Sequence, residues 1–273
     1  MHLSKEVFVR LKNLILVRHG ESEGNVAYAA SAQGDDSHFT DALQARHSSS
    51  LRLTERGVKQ AQDSGEWIRR NNDRGRLHGY IVADYVRALE TAAHLDLPNA
   101  QWERTFQLRE RDMALMDGIS VTARKERYPR EVMEWSRHAF YAYPAGGGES
   151  MAQLCHRLST SMLPELESRY KNENVILVTH GHVIQALQVL IECLLPDEFH
   201  ERMMAAGLND YVRNGQITWY SREEPEGRYP VSDVDVWVRR VVPTSPQFDT
   251  DWLSVPQHRT WSNEELLKVL AQS

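Results

Sequence analysis

The run Leu14-Ile15-Leu16-Val17-Arg18-His19-Gly20-Glu21-Ser22, followed by Asn25, changes character at one point. Four apolar residues read as a buried strand, and then an arginine, a histidine and a glycine arrive where such a strand cannot continue. Arg18 and His19 must therefore face solvent or a ligand, and open α/β sheets bind ligands at the carboxyl edge of their strands. The same grammar returns in Val175-Ile176-Leu177-Val178-Thr179-His180-Gly181. A third apolar run, Tyr80-Ile81-Val82-Ala83, leads through Asp84-Tyr85-Val86 to Arg87 at the head of a helix-forming segment. If parallel strands deliver these groups to one cleft, two guanidiniums, two imidazoles and adjacent helix N-termini make a positive pocket matched to phosphoryl oxygens.

Outward from these strands the chain alternates strand and helix. Thr54 reads as an N-cap, with Val58, Ala61, Gly65 and Ile68 at helical spacing behind it. Ser150-Met151-Ala152-Gln153 has capping-box spacing, and Leu154, Leu158 and Met162 continue one face until Pro164, which is expected to kink or end the helix. A helix over 183–195 follows the third strand, a helix over 121–139 lies in the middle of the chain, and a weaker strand is read around 105–108. The pattern predicts a three-layer α/β/α fold with a largely parallel sheet. Residues 1–222 are read as one catalytic domain, with cap segments at 27–50 and 118–148. The first cap segment is long enough to be a mobile lid or disordered. Residues 223–273 are read as an extension packed on that domain or at a subunit interface, containing an alternating run at 234–238 and a short helix near 262–271.

Composition sets the outer limits. The 273 residues carry 32 basic and 38 acidic groups, a net charge of -6, which argues against a general basic coat for nucleic acid. The N-terminus lacks the continuous apolar stretch of a secretory signal, and no apolar run is long enough to span a bilayer, so no membrane association is expected. Cys155 and Cys193 are the only cysteines, and each sits in an apolar helical pattern, so both are expected to be buried thiols in a reducing, cytoplasmic setting.

Six ordered stations then carry a resemblance. They are Arg18-His19-Gly20-Glu21-Ser22 with Asn25, Leu53-Thr54-Glu55-Arg56-Gly57, Arg87-Ala88-Leu89-Glu90-Thr91, Leu108-Arg109-Glu110-Arg111, Gly147-Gly148-Glu149-Ser150 and Thr179-His180-Gly181. In this order the chain resembles the histidine phosphatase superfamily, the phosphoglycerate mutase-like fold. The resemblance implies that His19 is the nucleophile and forms a phosphohistidine. It implies further that Arg18, Arg87 and His180 hold the phosphoryl oxygens with Asn25 and Gly181 beside them, and that Glu110 is the acid/base. It implies no metal and no cofactor, and a small phosphorylated substrate.

Each residue also has a blander role: a strand-end histidine bonded to backbone, an arginine in a structural ion pair, or Glu110 paired with a neighbouring arginine at the surface. His182 makes a His-x-His pair with His180, but without a third ligand it is read as peripheral or buried rather than as a zinc ligand. Glu149-Ser150 is read as a helix cap. The modest segment 111–147 and the aromatic run Phe140-Tyr141-Ala142-Tyr143-Pro144 place the chain nearer the broad-specificity phosphatase members, so hydrolysis of phosphomonoesters is expected. A phosphoglycerate mutase-type transferase and a non-catalytic phosphate-binding or scaffold protein are the alternatives. A homodimer is left open. Three departures from the family pattern, the insertion between Asn25 and Leu51, Ala83-Asp84 before Arg87, and the tail past Tyr220, bear on substrate more than on chemistry.

Overall fold

The computed structural model describes residues 10–206, 211–227, 231–232, 235–255 and 260–270. The apolar run after Asn13 forms β1 (Asn13–Arg18), and its partner β4 (Asn174–Thr179) is buried at every position. Successive side chains of a strand point to opposite faces, so continuous burial requires a helical layer on each side of the sheet. β2 (Gly79–Ala83), β4 and β1 lie side by side and parallel, with β3 (Glu103–Thr105) beyond β2. Register places Arg18 beside Thr179 and Val82 beside Val178, so three strands end along one edge. On the other side of β1, β5 (Ile217–Ser221), β6 (Val236–Val241) and β7 (Leu253–Val255) add as an antiparallel meander. The order is β3-β2-β4-β1-β5-β6-β7, the mixed, mostly parallel α/β sheet implied by the alternation.

Helices fill the connections. α1 (Glu23–Ala32) and the single turn α2 (Asp41–Gln44) give structure to much of the 27–50 segment, which closes in a 3-10 turn at Ser48–Ser50. α3 (Glu55–Asn71) starts at Thr54, whose Oγ1 accepts from the Gly57 N–H. It packs on α4 (Val86–His94), which leaves β2 directly. Among the described residues no helix is long and apolar enough to cross a membrane.

Several expectations shift in ways that local chemistry explains. The helix expected over 121–139 is two, α5 (Val121–Arg127) and α6 (Pro129–His138). Pro129 disfavours a helical Tyr128 and is at home in the first turn of a new helix. Pro164 does not end its helix: α7 (Met151–Arg157) passes through a π-helical turn, Leu158–Met162, into α8 (Leu163–Tyr170). The missing N–H of Pro164 thus falls just past that wider turn, where the hydrogen-bond ladder is already irregular. The strand read around 105–108 lies earlier, as β3 at Glu103–Thr105, and shares only Thr105 with that reading. Residues Phe106–Leu108 form a 3-10 turn whose Gln107 N–H is taken by Thr105 Oγ1.

α9 (Gly181–Ile191) starts before 183 and stops short of 195, because Cys193 turns to a left-handed φ of 51°. The Leu194 N–H returns to the Val189 carbonyl at 3.1 Å, closing the helix end. This also corrects the cysteines: Cys155 is buried, but Cys193 is exposed. α10 (Pro196–Ala206) and α11 (Asn263–Leu270) complete the helices. Of the alternating 234–238 run, Val234 lies outside the described residues, as do position 271 of the expected last helix and the N-terminal residues 1–9. From Val236 onward the run joins the edge of the chain's own sheet as β6.

Candidate active site

β1 delivers Arg18 and His19, β4 delivers His180 at the N-cap of α9, and α4 carries Arg87 in its first turn. His19, Arg87 and His180 are all buried, and the two imidazoles sit with ring centroids 5.2 Å apart. Residues far apart in the chain therefore do converge. The turn after β1 that makes this possible depends on two glycines. A Cβ on Gly20 would fall 2.2 Å from the Gly57 carbonyl oxygen, and one on Gly57 would fall 2.0 Å from that of Glu21. The N-terminus of α3 can press against the His19 turn only because both lack side chains.

Two hydrogen bonds orient His19. Its Nδ1–H donates to its neighbour, the Gly20 carbonyl, at 2.7 Å, and this fixes the tautomer so that the lone pair lies on Nε2. Arg87 Nε donates to that Nε2 at 3.0 Å. Burial first, then the charges of Arg87, His180 and Arg18, hold the His19 pKa well below the usual imidazole value. His180 is shifted the same way, by burial and then by Arg87. Both rings are neutral near pH 7, and neither ring nitrogen of His180 has a hydrogen-bond partner among the described residues. A buried imidazole in that condition is suited to an incoming polar ligand.

The rest of the shell is tightly held. Arg18 Nη1 donates to the Val212 carbonyl, and its guanidinium packs on Gly181 at the N-terminus of α9. Asn25 Oδ1 accepts from the Ser22 N–H at 3.1 Å and from Asn214 Nδ2 at 3.0 Å, which leaves its NH2 as the remaining polar group. Glu110 is largely buried rather than paired at the surface. Its Oε1 accepts the Arg111 N–H at 3.0 Å and lies 3.4 Å from His182 Nδ1. Burial pushes the Glu110 pKa up, but His182, His180 and Arg87 together outweigh it and hold the carboxyl well below the usual range. His182 is thus the partner of Glu110, more specific than the peripheral or buried role expected of it.

Sequence reasoning passed over several residues that touch this cluster. The Tyr85 ring lies 5.0 Å from His180, with the Arg87 guanidinium 4.9 Å over its face. Arg87 Nη1 also donates to the Ser48 carbonyl at 2.7 Å, so the 27–50 segment reaches the cluster. Ser150 caps α7, whereas the Glu149 carboxylate takes Arg157 in a bidentate pair at 2.8 and 2.9 Å. Arg157 in turn donates to the carbonyls of Gln107 and Arg109, and so braces the backbone that presents Glu110. Tyr85 carries no signal in the sequence beyond adjacency to Arg87, whereas Ser48 lies within the 27–50 cap segment. Among the described residues no group of three His, Cys, Asp or Glu side chains is placed to hold a metal ion.

The family profile described as Histidine phosphatase superfamily (branch 1) matches residues 14–216. A 2,3-bisphosphoglycerate-dependent phosphoglycerate mutase from Bradyrhizobium diazoefficiens is 28% identical over 207 residues, 71% of this chain and 88% of that protein. Among solved structures, a mycobacterial glucosyl-3-phosphoglycerate phosphatase complexed with VO3 aligns with a TM-score of 0.59 at 22% identity, covering 77% of this chain and 92% of that one. A structure titled mycobacterial hydrolase 2 aligns with a TM-score of 0.59 at 19% identity, over 96% of this chain and 97% of that one.

Proposed function

Since the chain belongs to the histidine phosphatase superfamily, we propose that it is a phosphatase that hydrolyses small phosphomonoesters through a phosphohistidine on His19. The observation that carries this reading is the fixed tautomer: with Nδ1–H spent on Gly20, the neutral ring presents Nε2 to the Arg18, Arg87 and His180 cluster. Nε2 attacks phosphorus, the bond from phosphorus to the ester oxygen breaks, and Glu110 gives that oxygen a proton. Glu110 then takes a proton from water, whose oxygen attacks phosphorus and releases His19 and inorganic phosphate. A carboxyl held ionised in the empty pocket becomes a competent acid when the phosphoryl group brings negative charge beside it, because like charge raises its pKa. The guanidiniums and His180 meet charge on the equatorial oxygens, where catalysis of phosphoryl transfer mostly resides.

Hydrolysis is preferred over transfer because the segment 111–147 is modest in length and because the mycobacterial neighbour is named a phosphatase. The mutase names of the curated relatives support the second reading, return of the phosphoryl group to a phosphoglycerate. A panel of phosphate esters including both phosphoglycerates separates the two, assayed for free phosphate and for isomerised product with His19→Ala as control. Free phosphate without isomerisation is the expected result. Isomerisation as the dominant output would transfer the assignment to the mutases.

A further inference from the structure

The loop 211–216 touches both residues that β1 delivers, and a side chain from beyond the family match holds that loop. Gly215 N–H bonds the carbonyls of Arg18 and His19 at 3.2 and 3.3 Å, and the Arg18 N–H bonds the Gln216 carbonyl at 3.0 Å. Asn214 Nδ2 donates to the His19 carbonyl and to Asn25 Oδ1, both at 3.0 Å, while the Val212 carbonyl receives Arg18 Nη1. The loop is tied at its far end, where Gln216 Oε1 accepts the Arg213 N–H at 3.0 Å and Ser64 Oγ donates to the Gly215 carbonyl at 2.7 Å.

Over the middle of this loop lies Phe248, its ring centroid 3.5 Å from the Arg213 guanidinium carbon. Phe248 is 42% exposed, so core packing does not explain its ring. It rides on the excursion between β6 and β7, which is pinned at its base: the Val242 N–H donates to Asp249 Oδ1 at 2.8 Å, and the Thr250 N–H to the Arg240 carbonyl at 2.8 Å. A cation on an aromatic face is a directional contact, and here it spans two segments that are each anchored elsewhere.

We propose that Phe248 is a positioning residue: by clamping Arg213 it holds the 211–216 loop in the one arrangement that sets Arg18 and His19 for the phosphoryl group. The C-terminal segment thereby acts on the chemistry without touching substrate. This rests on the reading of Arg18 and His19 as phosphoryl-binding and nucleophilic groups. Loss of such a clamp lets the reacting groups wander from their productive geometry, which reduces both anion affinity and turnover.

The test uses the full chain carrying Phe248→Ala, Phe248→Leu or Phe248→Trp, with inorganic phosphate titrated calorimetrically and hydrolysis of an aryl phosphate measured in parallel. Alanine and leucine are expected to weaken phosphate binding and kcat by about three- to fivefold each, with an unchanged thermal midpoint, while tryptophan restores both. Arg213→Gln should match Phe248→Ala, and the double variant should be no worse than either single one. Wild-type values in Phe248→Ala or Phe248→Leu, or additive losses in the double variant, would overturn the clamp. A wild type that binds phosphate without turnover would sink the phosphatase reading, while the titrations would still decide the role of Phe248. A wild type that does neither would sink both.

Discussion

At the level of single residues, the site is defined by groups whose proton affinities have been displaced. His19 and His180 resist protonation because they are buried and face Arg87. In the unfolded chain both would bind a proton below about pH 6.5, whereas the folded protein refuses it, so stability declines as pH falls from about 7 towards 5. Glu110 adds a second loss below about pH 4.5, since its folded form holds the proton less tightly than the unfolded chain does. Thermal midpoints recorded from pH 8 to pH 5 should fall, and His180→Asn should flatten that slope; a flat wild-type profile would contradict the shifts. Because burial and the neighbouring Arg87 keep His19 neutral in the free protein, the acid limb of kcat/KM belongs below the usual imidazole range. Glu110→Gln should lower kcat by about 10²- to 10⁴-fold on alkyl esters and far less on aryl phosphates, whose leaving oxygen needs no proton. Equal losses on both would remove Glu110 from the acid role. His19 and His180 were legible because a polar group at the end of an apolar strand has few explanations, whereas Glu110 was singled out only by the resemblance to the family. His182 and Tyr85 were not legible, since their importance comes from neighbours distant in sequence, Glu110 and His180.

Elements set where those residues meet. The strands β1, β2 and β4 were readable because four consecutive apolar residues have few other uses, and the capped starts of α3 and α7 because Thr54 and Ser150 satisfy backbone donors in a fixed spacing. Boundaries were read less well where one residue redirects the backbone. Tyr128-Pro129 divides an expected helix, Cys193 closes another, and the side chain of Arg157 takes carbonyls at 107 and 109 that a strand ladder would otherwise use. The most exacting contact between elements is that of α3 with the turn after β1. Gly57→Ala is expected to cost about 1–3 kcal/mol or more, because its Cβ would meet backbone that cannot swing aside. It should also reduce activity by displacing the His19 turn. Denaturant unfolding of this variant at wild-type midpoint would contradict the close approach.

For the whole molecule, the sheet continues past the family match. β6 and β7 bury Val236, Val238, Val241 and Val255 in the common core, and Trp219 stacks edge-on between Trp67 and Trp252. The buried Glu192 carboxylate takes Tyr220 from β5, Arg240 from β6 and Arg202 from α10, which binds the meander to the helical layer. Cutting the chain near Glu223 should therefore leave β5 as an uncovered edge and give an aggregating or unfolded product. A truncated form with wild-type melting behaviour would show that the extension is dispensable. The sequence left open whether the alternating run joins this domain or a second subunit, because strand pairing with β5 depends on partners that no local pattern names. In the proposed function the three scales meet in a phosphoryl group held between four side chains and passed through one nitrogen. Its most direct measurement is peptide mass spectrometry on protein mixed with a phosphate ester and quenched in alkali. The phosphoryl group should reside on His19 and vanish in His19→Ala, whereas turnover with that residue unmodified, or a label on any other side chain, would contradict the account.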